Sequence, residues 1–452
     1  MTRSLKNLWG RLLFRDRGIL PTKRFVFVYM IISVSLLLGA YLGASWGVVI
    51  IVNSLVIVFS FIDLLFSPKK GQLHASRKIA AELERGLPYP VHLELKNDSE
   101  YPTHFRIVDD LPQSFGRPFP KRGTVAKQTT TDINYETVAP VRGRYDIKKI
   151  YVRYTSLLGL WEKQTTITAE DTVKVIPDLS DTKHFLENAQ QFLLYEGVKI
   201  RKQQSGAGEF AKIRSYVVGD DPRKINWRQT AKLQSVMTNE YEPEHGKYIT
   251  ILIDCGRMMG AELETGNRLE RALESAITVA AAALKNGDYV SVLGFSKDVK
   301  VFVPAAKGMA HLQTILHSIY ELDVDPVESN YAAVLHYVQT MQKKRSLLLL
   351  FSDVRSFLHE ESALLYVRRL RQRHVFFMIG VEDKELVVQT KRKPTGVQAA
   401  MTKTIAQQQL VIKKREKAKW EAQGLQMVEV PEEHLAAAAV SYYINMLNRG
   451  LL

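Results

Sequence analysis

The feature that most constrains the fold is a long apolar stretch near the start of the chain. From Phe25 to Phe66 the sequence holds one acidic residue, Asp63, and no basic residue. At about 1.5 Å per helical residue, this stretch is long enough to cross a hydrocarbon core of roughly 30 Å twice. The segment GASWG at 43–47 is suited to a turn between the crossings. We therefore expect two transmembrane helices within residues 25–66.

Basic residues flank this stretch on both sides. Residues 1–24 carry seven Lys or Arg residues against one acid, and residues 67–87 carry five against two. Cytoplasmic flanks of membrane helices are enriched in Lys and Arg. We therefore predict a basic cytoplasmic N-terminus over 1–24, a juxtamembrane linker over 67–87, and a multi-pass protein of the inner (cytoplasmic) membrane with its bulk in the cytoplasm. A cleaved signal peptide is the alternative, but the first apolar run is long for one and a second follows at once.

The net charge of +15 comes largely from these flanks and from residues 391–421, which hold nine basic residues against two acids. No basic face with interleaved aromatic residues accompanies the charge, so we expect the lipid bilayer as a partner and no nucleic acid. The basic stretch Lys413 to Lys419 has two interpretations. It binds an acidic surface or the anionic leaflet of the membrane, or it is a solvated helix face. The single cysteine, Cys255, excludes an internal disulfide.

Two soluble domains are predicted after the membrane segment. Residues 88–180 contain short segments of alternating polarity separated by Asn, Asp, Pro and Gly, which is typical of a small β-sandwich. Residues 181–247 form a linker. Within 248–452, apolar strands alternate with amphipathic helices, which predicts an α/β domain with a mostly parallel, doubly wound sheet.

Common catalytic signatures are absent from the sequence. It has no GxxxxGK[ST] or HExxH motif, and its GxSxG match, GASWG at 43–47, lies within the apolar stretch. The glycine-rich SGAGEF at 205–210 does not follow a buried strand. We therefore identify no small-molecule substrate. Cys255 lies beside Asp254 at a strand end, where it is either a nucleophile or a small residue packed under a loop.

Two aspartates, Asp254 and Asp353, follow apolar strands, and carboxyl ends of parallel strands converge on a crevice. The order of elements and these aspartates resemble the von Willebrand factor A fold, whose metal site uses a DxSxS loop, a threonine and a second aspartate. Gly256 and Met258 replace both serines, and Ser329 or the adjacent Asn replaces the threonine. We expect no cofactor, with Mg²⁺ at Asp254, Asp353 and Ser329 as the alternative. One hypothesis is that the neighbouring arginine at 257 pairs with a carboxylate and replaces the cation.

The segment before the sheet carries a more specific pattern, GAGEF at 206–210, RSY at 214–216 and GDDPRKINW at 219–227, followed by NEYEPE at 239–244. With the hairpin, the sandwich and RGRY at 142–145, it resembles the domain-of-unknown-function 58 family. TSLLGLW at 155–161 departs from the family's usual turn. The residues that match the motif are Gly206, Gly208, Glu209, Arg214, Tyr216, Gly219, Asp220, Asp221, Pro222, Arg223, Asn226 and Trp227. The resemblance implies a membrane-anchored bacterial protein with a von Willebrand A-like domain that works with a MoxR-type AAA+ ATPase.

The motif also has a local physical interpretation. Asp221 and Pro222 are suited to the N-cap and first position of a helix that continues to Leu233. Arg214 or Arg223 is expected to pair with Asp220 or Glu209. The group of Arg223, Asn226 and Trp227 then either anchors the linker to the sheet or offers a docking surface.

Three functions are compatible with these features. The first is a non-enzymatic, membrane-tethered scaffold or adaptor that acts with a MoxR-type ATPase in assembly or maturation of envelope proteins. The second is a metal-dependent hydrolase that uses Asp254 and Asp353 with Glu209 or Asp220. The third is a membrane-linked sensor, although the loop outside the membrane is short.

Overall fold

The computed structural model describes residues 18–189, 209–242 and 246–452. The chain divides into two compact units, Met1–Ile176 and Pro177–Leu452. Most of the predicted basic N-terminus and the two glycines of SGAGEF lie outside the described residues.

Two apolar helices begin the first unit, α1 (Lys23–Tyr41) and α2 (Trp46–Leu65). Thr22 and Ser45 cap them through their hydroxyl groups, and the turn between them falls where GASWG predicts it. Both helices are long and apolar enough to span a membrane, and no side chain of α1 is buried. The sequence therefore predicts this pair correctly, with boundaries that differ by a few residues.

Nine strands follow or flank the helices and form two sheets. One sheet has the order β1-β9-β8-β5-β6, with β3 beside β9, and the other has the order β2-β4-β7. Alternating apolar residues, among them Leu93, Ile107 and Val152, fill the core between them. The strands are β1 (Ile19–Pro21), β2 (Leu73–Lys78), β3 (Glu82–Glu84), β4 (Pro88–Asn97), β5 (Thr103–Asp109), β6 (Lys121–Val125), β7 (Thr129–Val138), β8 (Gly143–Thr155) and β9 (Trp161–Ile176).

The first three strands correct the sequence prediction, which places them in the N-terminus and the linker. The reason is visible at Arg77 in β2, a charged residue that is buried inside the unit. Its guanidinium group donates to Asp109 (Nε to Oδ2, 2.9 Å) and to Asp171 (Nη1 to Oδ2, 2.8 Å). A basic residue at a buried position disguises the alternating pattern of the strand.

The second unit is built on a six-stranded sheet of order β16-β15-β12-β17-β18-β19. All neighbouring pairs are parallel except β15 and β16. A separate two-stranded sheet pairs β10 with β11. The strands are β10 (Glu209–Ser215), β11 (Met237–Glu242), β12 (Tyr248–Asp254), β13 (Glu262–Leu263), β14 (Gly266–Asn267), β15 (Tyr289–Phe295), β16 (Val299–Ala306), β17 (Ser346–Phe351), β18 (Val375–Val381) and β19 (Gln426–Val430).

Helices connect these strands and cover the sheet. A core cluster joins Leu252 and Leu350 of the sheet to Val334, Phe357 and Trp420 of three helices. The helices are α3 (Ser180–Glu187), α4 (Trp227–Leu233), α5 (Arg268–Lys285), α6 (Ala310–Ile319), α7 (Tyr331–Met341), α8 (Val354–Leu358), α9 (Glu361–Arg371), α10 (Lys384–Lys391), α11 (Val397–Ala422) and α12 (Leu435–Asn448).

Most predicted helices and strands of this unit are present. The sequence does not predict the two-stranded sheet of β10 and β11, which lies within the predicted linker, or the short pair β13 and β14. The residue pattern over 356–373 predicts one amphipathic helix, but the structure has two, α8 and α9, which are separated at His359 and Glu360. The sequence pattern does not reveal the helix α10. Only two residues separate it from the end of β18, so no loop marks its start. Its start is capped by Asp383, whose carboxylate accepts from the Leu386 amide at 3.0 Å.

Candidate functional site

The carboxyl ends of β12 and β17 border a cleft of ≈ 580 Å³. The two strands are adjacent and parallel, so Asp254, which ends β12, and Asp353, which follows β17, come to the same edge of the sheet. The cleft is lined by Asp254, Arg257, Met258, Glu328, Ser329, Tyr331, Arg355, Ser356, His359 and Glu360.

Four protein donors surround the carboxylate of Asp254. Its Oδ1 accepts from the Gly256 amide (2.8 Å) and the Ser329 hydroxyl, and its Oδ2 accepts from Tyr331 (2.9 Å) and Ser352 (2.5 Å). The side chain is almost completely buried. Burial raises the pKa of the Asp254 carboxyl, and these hydrogen bonds oppose the rise.

Asp353 is held by different partners. The Arg268 guanidinium Nη1 lies 2.5 Å from its Oδ1, and both side chains are buried. Its Oδ2 accepts from the amide and the hydroxyl of Ser356, at 2.9 Å each, which caps α8. The carboxylate is thus neutralised by an arginine from the first residue of α5.

Arg257 does not play the role predicted for it. Its backbone amide donates to the Val327 carbonyl at 2.9 Å, and its guanidinium pairs with exposed Glu328 (Nη2 to Oε1, 2.9 Å). The cation beside Asp353 is instead Arg268. No local pattern reveals this partner, since 85 residues separate it from Asp353 in the sequence.

The oxygens at this edge do not fit a Mg²⁺ ion. A Cβ atom at Gly256 would lie 2.0 Å from the Ser329 hydroxyl oxygen, so that hydroxyl occupies the space that a serine at 256 needs. Mg²⁺ requires a near-octahedral set of oxygens, which Gly256 and Met258 do not supply. Asn330, the other candidate ligand, caps α7 by accepting from the Ala333 amide at 2.9 Å. Among the described residues no group of three or more His, Cys, Asp or Glu residues is arranged to hold a metal.

Cys255 is fully buried next to this cleft. Its backbone amide donates to the Phe295 carbonyl (2.6 Å), and its carbonyl accepts from the Asp325 amide (2.7 Å). Its thiol faces the Ile253 carbonyl at 3.7 Å. This geometry favours the packing interpretation of Cys255 over a nucleophile.

The motif segment from Lys212 to Glu240 contains one of the predicted ion pairs. Arg214 donates to both carboxylate oxygens of Asp220, at 2.8 and 2.7 Å. The Val217 amide donates to the same carboxylate, and the Tyr216 hydroxyl donates to the Asp220 carbonyl. The arginine is the main cause of a lowered pKa for Asp220. Gly219 lies in this loop with φ +112°, a conformation that favours glycine.

The second half of GDDPRKINW forms two helical turns. Asp221 accepts from the Arg223 amide (3.0 Å) and caps a 3₁₀ turn that has Pro222 at its start, as predicted. The predicted continuous helix is wrong, because the backbone becomes extended at Ile225 and a new helix, α4, begins after Asn226. The Asn226 side chain caps α4 and donates to Asn239 (2.9 Å).

Trp227 is 70% exposed, so it does not anchor the segment in a core. Val218 is 96% exposed, and Leu233 and Val236 are also exposed. Between Lys212 and Glu240, Thr238 alone is buried. The motif therefore exposes five apolar side chains, which we call the motif surface: Val217, Val218, Trp227, Leu233 and Val236. The predicted motif glycines at 206 and 208, and the side chain of Glu209, lie outside the described residues.

Two solved structures are weakly similar to parts of this chain. The conserved hypothetical protein BatB from Bacteroides thetaiotaomicron matches 45% of this chain and all of its own, at 15% identity and a TM-score of 0.29. The ASH/PapD-like domain of human CEP192 matches 24% of this chain and 89% of its own, at 12% identity and a TM-score of 0.18. TM-scores this low support no conclusion about function.

Comparison of sequences is more informative. Uncharacterized protein YeaD from Bacillus subtilis (strain 168) is 25% identical over 279 residues, which are 58% of this chain. The match spans 63% of that relative. The family model described as "Protein of unknown function DUF58" matches residues 212–403, which include the motif surface and the strand-end aspartates. Over residues 212–403, this chain is thus similar to the DUF58 family of proteins of unknown function.

Proposed function

We propose that this protein is a membrane-tethered adaptor without catalytic chemistry of its own. The helices α1 and α2 hold it in the inner membrane with both flanks in the cytoplasm, in keeping with the basic residues Lys23, Arg24, Lys69 and Lys70 at their ends. The second unit acts as a von Willebrand factor A-like domain. The strand order of its sheet and the single antiparallel edge strand support that resemblance. Its partner is a MoxR-type AAA+ ATPase that takes part in assembly or maturation of envelope proteins.

The motif surface is the observation that carries this proposal. It belongs to a two-stranded sheet, and such a sheet is at best marginally stable without an apolar face packed against something else. The segment nevertheless exposes a tryptophan and several aliphatic side chains. Tryptophan is enriched at the energetically dominant positions of protein interfaces. A partner that covers Trp227 and Val218 gives these side chains the burial that the segment itself lacks.

The strand-edge cleft favours binding over hydrolysis. A metal-dependent hydrolase needs an ion with an open position for an activated water. Asp254 is engaged by four donors, Asp353 by Arg268, and Asp220 by Arg214. These three carboxylates of the hydrolase hypothesis therefore have structural partners.

The adaptor proposal is tested with the full chain in lipid nanodiscs and the purified MoxR-type ATPase of the same organism. We expect saturable binding by biolayer interferometry, and a loss of about tenfold or more on Trp227→Ala, as for an interface hot spot. The matched control is Leu365→Ala, which truncates a similarly exposed apolar residue of α9. Equal affinities of the two variants, or no binding by the unmodified chain, contradict the proposal.

A further inference from the structure

The loop between β8 and β9, residues 156–160, is tied to the end of the second apolar helix. A single carboxylate, that of Asp63 in α2, accepts from the Ser156 hydroxyl (2.5 Å) and from the amides of Leu158 (2.9 Å) and Leu160 (3.3 Å). Asp63 is buried by these contacts. The one acidic residue of the apolar stretch therefore has a defined partner, and that partner is a loop of the sandwich.

The first apolar helix contacts the same loop. The hydroxyl of Thr22, which caps α1, donates to the Gly159 carbonyl at 2.7 Å, and its amide donates to the Leu160 carbonyl at 2.9 Å. The loop is therefore joined to the start of α1 and to the end of α2, which lie at the same end of the hairpin.

Trp161, at the start of β9, completes this junction. Its indole nitrogen donates to the Ser60 carbonyl of α2 at 2.8 Å. Its ring stacks on Phe25 of α1 and on Phe61 of α2, with ring centroids 5.6 and 5.5 Å apart. The junction is buried, aromatic and hydrogen-bonded, so the position of the loop relative to the two helices is fixed.

The tip of this loop is apolar and exposed. Leu157 and Leu158 expose 48% and 55% of their surface, and Phe66, just after α2, is also exposed. The basic residues Lys23 and Arg24 lie at the start of α1, at the same end of the hairpin. Apolar side chains among basic ones are the composition that favours the boundary between lipid headgroups and acyl chains.

We propose that Leu157 and Leu158 insert into the lipid interface beside α1 and α2, as a third point of attachment of the first unit to the bilayer. The inference rests on the two apolar helices crossing the membrane, because the junction then places the loop tip at the membrane surface. The junction with the two helices and the inserted loop tip together fix how the sandwich is oriented on the bilayer.

Site-directed spin labelling tests the insertion. The chain has one cysteine, Cys255, which is buried, so a Cys255→Ala background leaves each introduced cysteine as the only label site. Labels are placed by Leu158→Cys, by Ile31→Cys in the middle of α1, and by Val141→Cys. The last is the matched control, an apolar residue exposed to a similar extent at the opposite end of β8. The thirteen residues of β8 separate the two sites by about 40 Å.

The labelled proteins are reconstituted in phosphatidylcholine/phosphatidylglycerol vesicles, and collision with oxygen is compared with collision with a water-soluble nickel chelate. We expect the labels at 31 and 158 to collide preferentially with oxygen, and the label at 141 with nickel. If the label at 158 lies in water and the label at 31 lies in lipid, the insertion of the loop is overturned but the membrane anchoring is not. A label at 31 in water overturns the membrane anchoring as well. If Leu158→Cys fails to fold, as judged by circular dichroism, Leu157→Cys takes its place with the same expectations.

Discussion

Arg268 and Asp353 form a buried ion pair, with the guanidinium Nη1 2.5 Å from the carboxylate Oδ1. The arginine begins α5 and the aspartate follows β17, so the pair links two distant parts of the chain at the edge of the sheet. A charge that is already neutralised in the interior has little attraction left for an external cation. Because of this pair, we expect the edge of the sheet not to act as a metal site. The first two predictions test the pair and the absence of metal binding.

Arg268→Leu is expected to destabilise the protein by about 3–5 kcal/mol, because it leaves the Asp353 carboxylate buried without its partner. Arg257→Leu is the matched control. It breaks an exposed pair with Glu328 and is expected to cost roughly 0–1 kcal/mol. Thermal and denaturant unfolding in detergent measure the difference. Similar unfolding midpoints for the two variants contradict the structural role given to Arg268.

Mg²⁺ and Mn²⁺ are expected to give no heat of binding at this edge. The donors around Asp254 are protein groups, and Gly256 and Met258 offer no side-chain oxygen. Isothermal titration calorimetry on the full chain measures this directly. Tight binding that disappears in Asp254→Ala contradicts the interpretation of the site.

Gly256→Ser is expected to destabilise the protein by about 1–3 kcal/mol through overpacking. The new side chain would meet the Ser329 hydroxyl oxygen, which lies 2.0 Å from the position of its Cβ. Ser329→Ala in the same chain removes that oxygen and is expected to recover part of the loss, with a coupling of about 0.5–3 kcal/mol. A double-mutant cycle by chemical denaturation measures the coupling. Additive effects contradict the proposed competition for space.

Asp254 is expected to make stability decrease as pH rises. Burial raises its pKa in the folded state, so the folded protein holds this proton above the ordinary carboxyl pKa of about 4, where the unfolded chain has lost it. The contribution of the protonated group is complete below that value and is lost as pH rises through the raised pKa. Asp254→Asn removes this dependence. Melting curves of both proteins across the same pH series check it, and parallel profiles contradict the raised pKa.

Residue patterns predict much of the architecture, because local periodicity carries it. The apolar run from Phe25 to Phe66 predicts α1 and α2, and the alternation of apolar strands with amphipathic helices predicts the sheet of the second unit. The pattern does not reveal the strand β2, because the charged residue Arg77 occupies a buried position in it. Such a position makes sense only with Asp109 and Asp171, which come from other strands.

The candidate site is predicted only in part. Asp254, Ser329 and Asp353 are correctly expected near the edge of the sheet, and Asp220 is correctly expected to pair with an arginine. The roles of Arg268, Tyr331 and Ser352 come from tertiary contacts, which no spacing in the sequence reveals. Trp227 illustrates a different limit. Its residue type is compatible with a buried anchor and with an exposed docking residue, and its exposure in the structure excludes the buried anchor.

The central claim is that the motif surface binds an ATPase, and photo-cross-linking in intact membranes tests it most directly. A photoreactive phenylalanine analogue replaces Val218, which is 96% exposed, or Leu365 as the control on α9. The account predicts a cross-link to the MoxR-type ATPase from position 218, weakened by Trp227→Ala, and none from position 365. A cross-link of equal yield from both positions, or none from position 218 with the ATPase present, would contradict it.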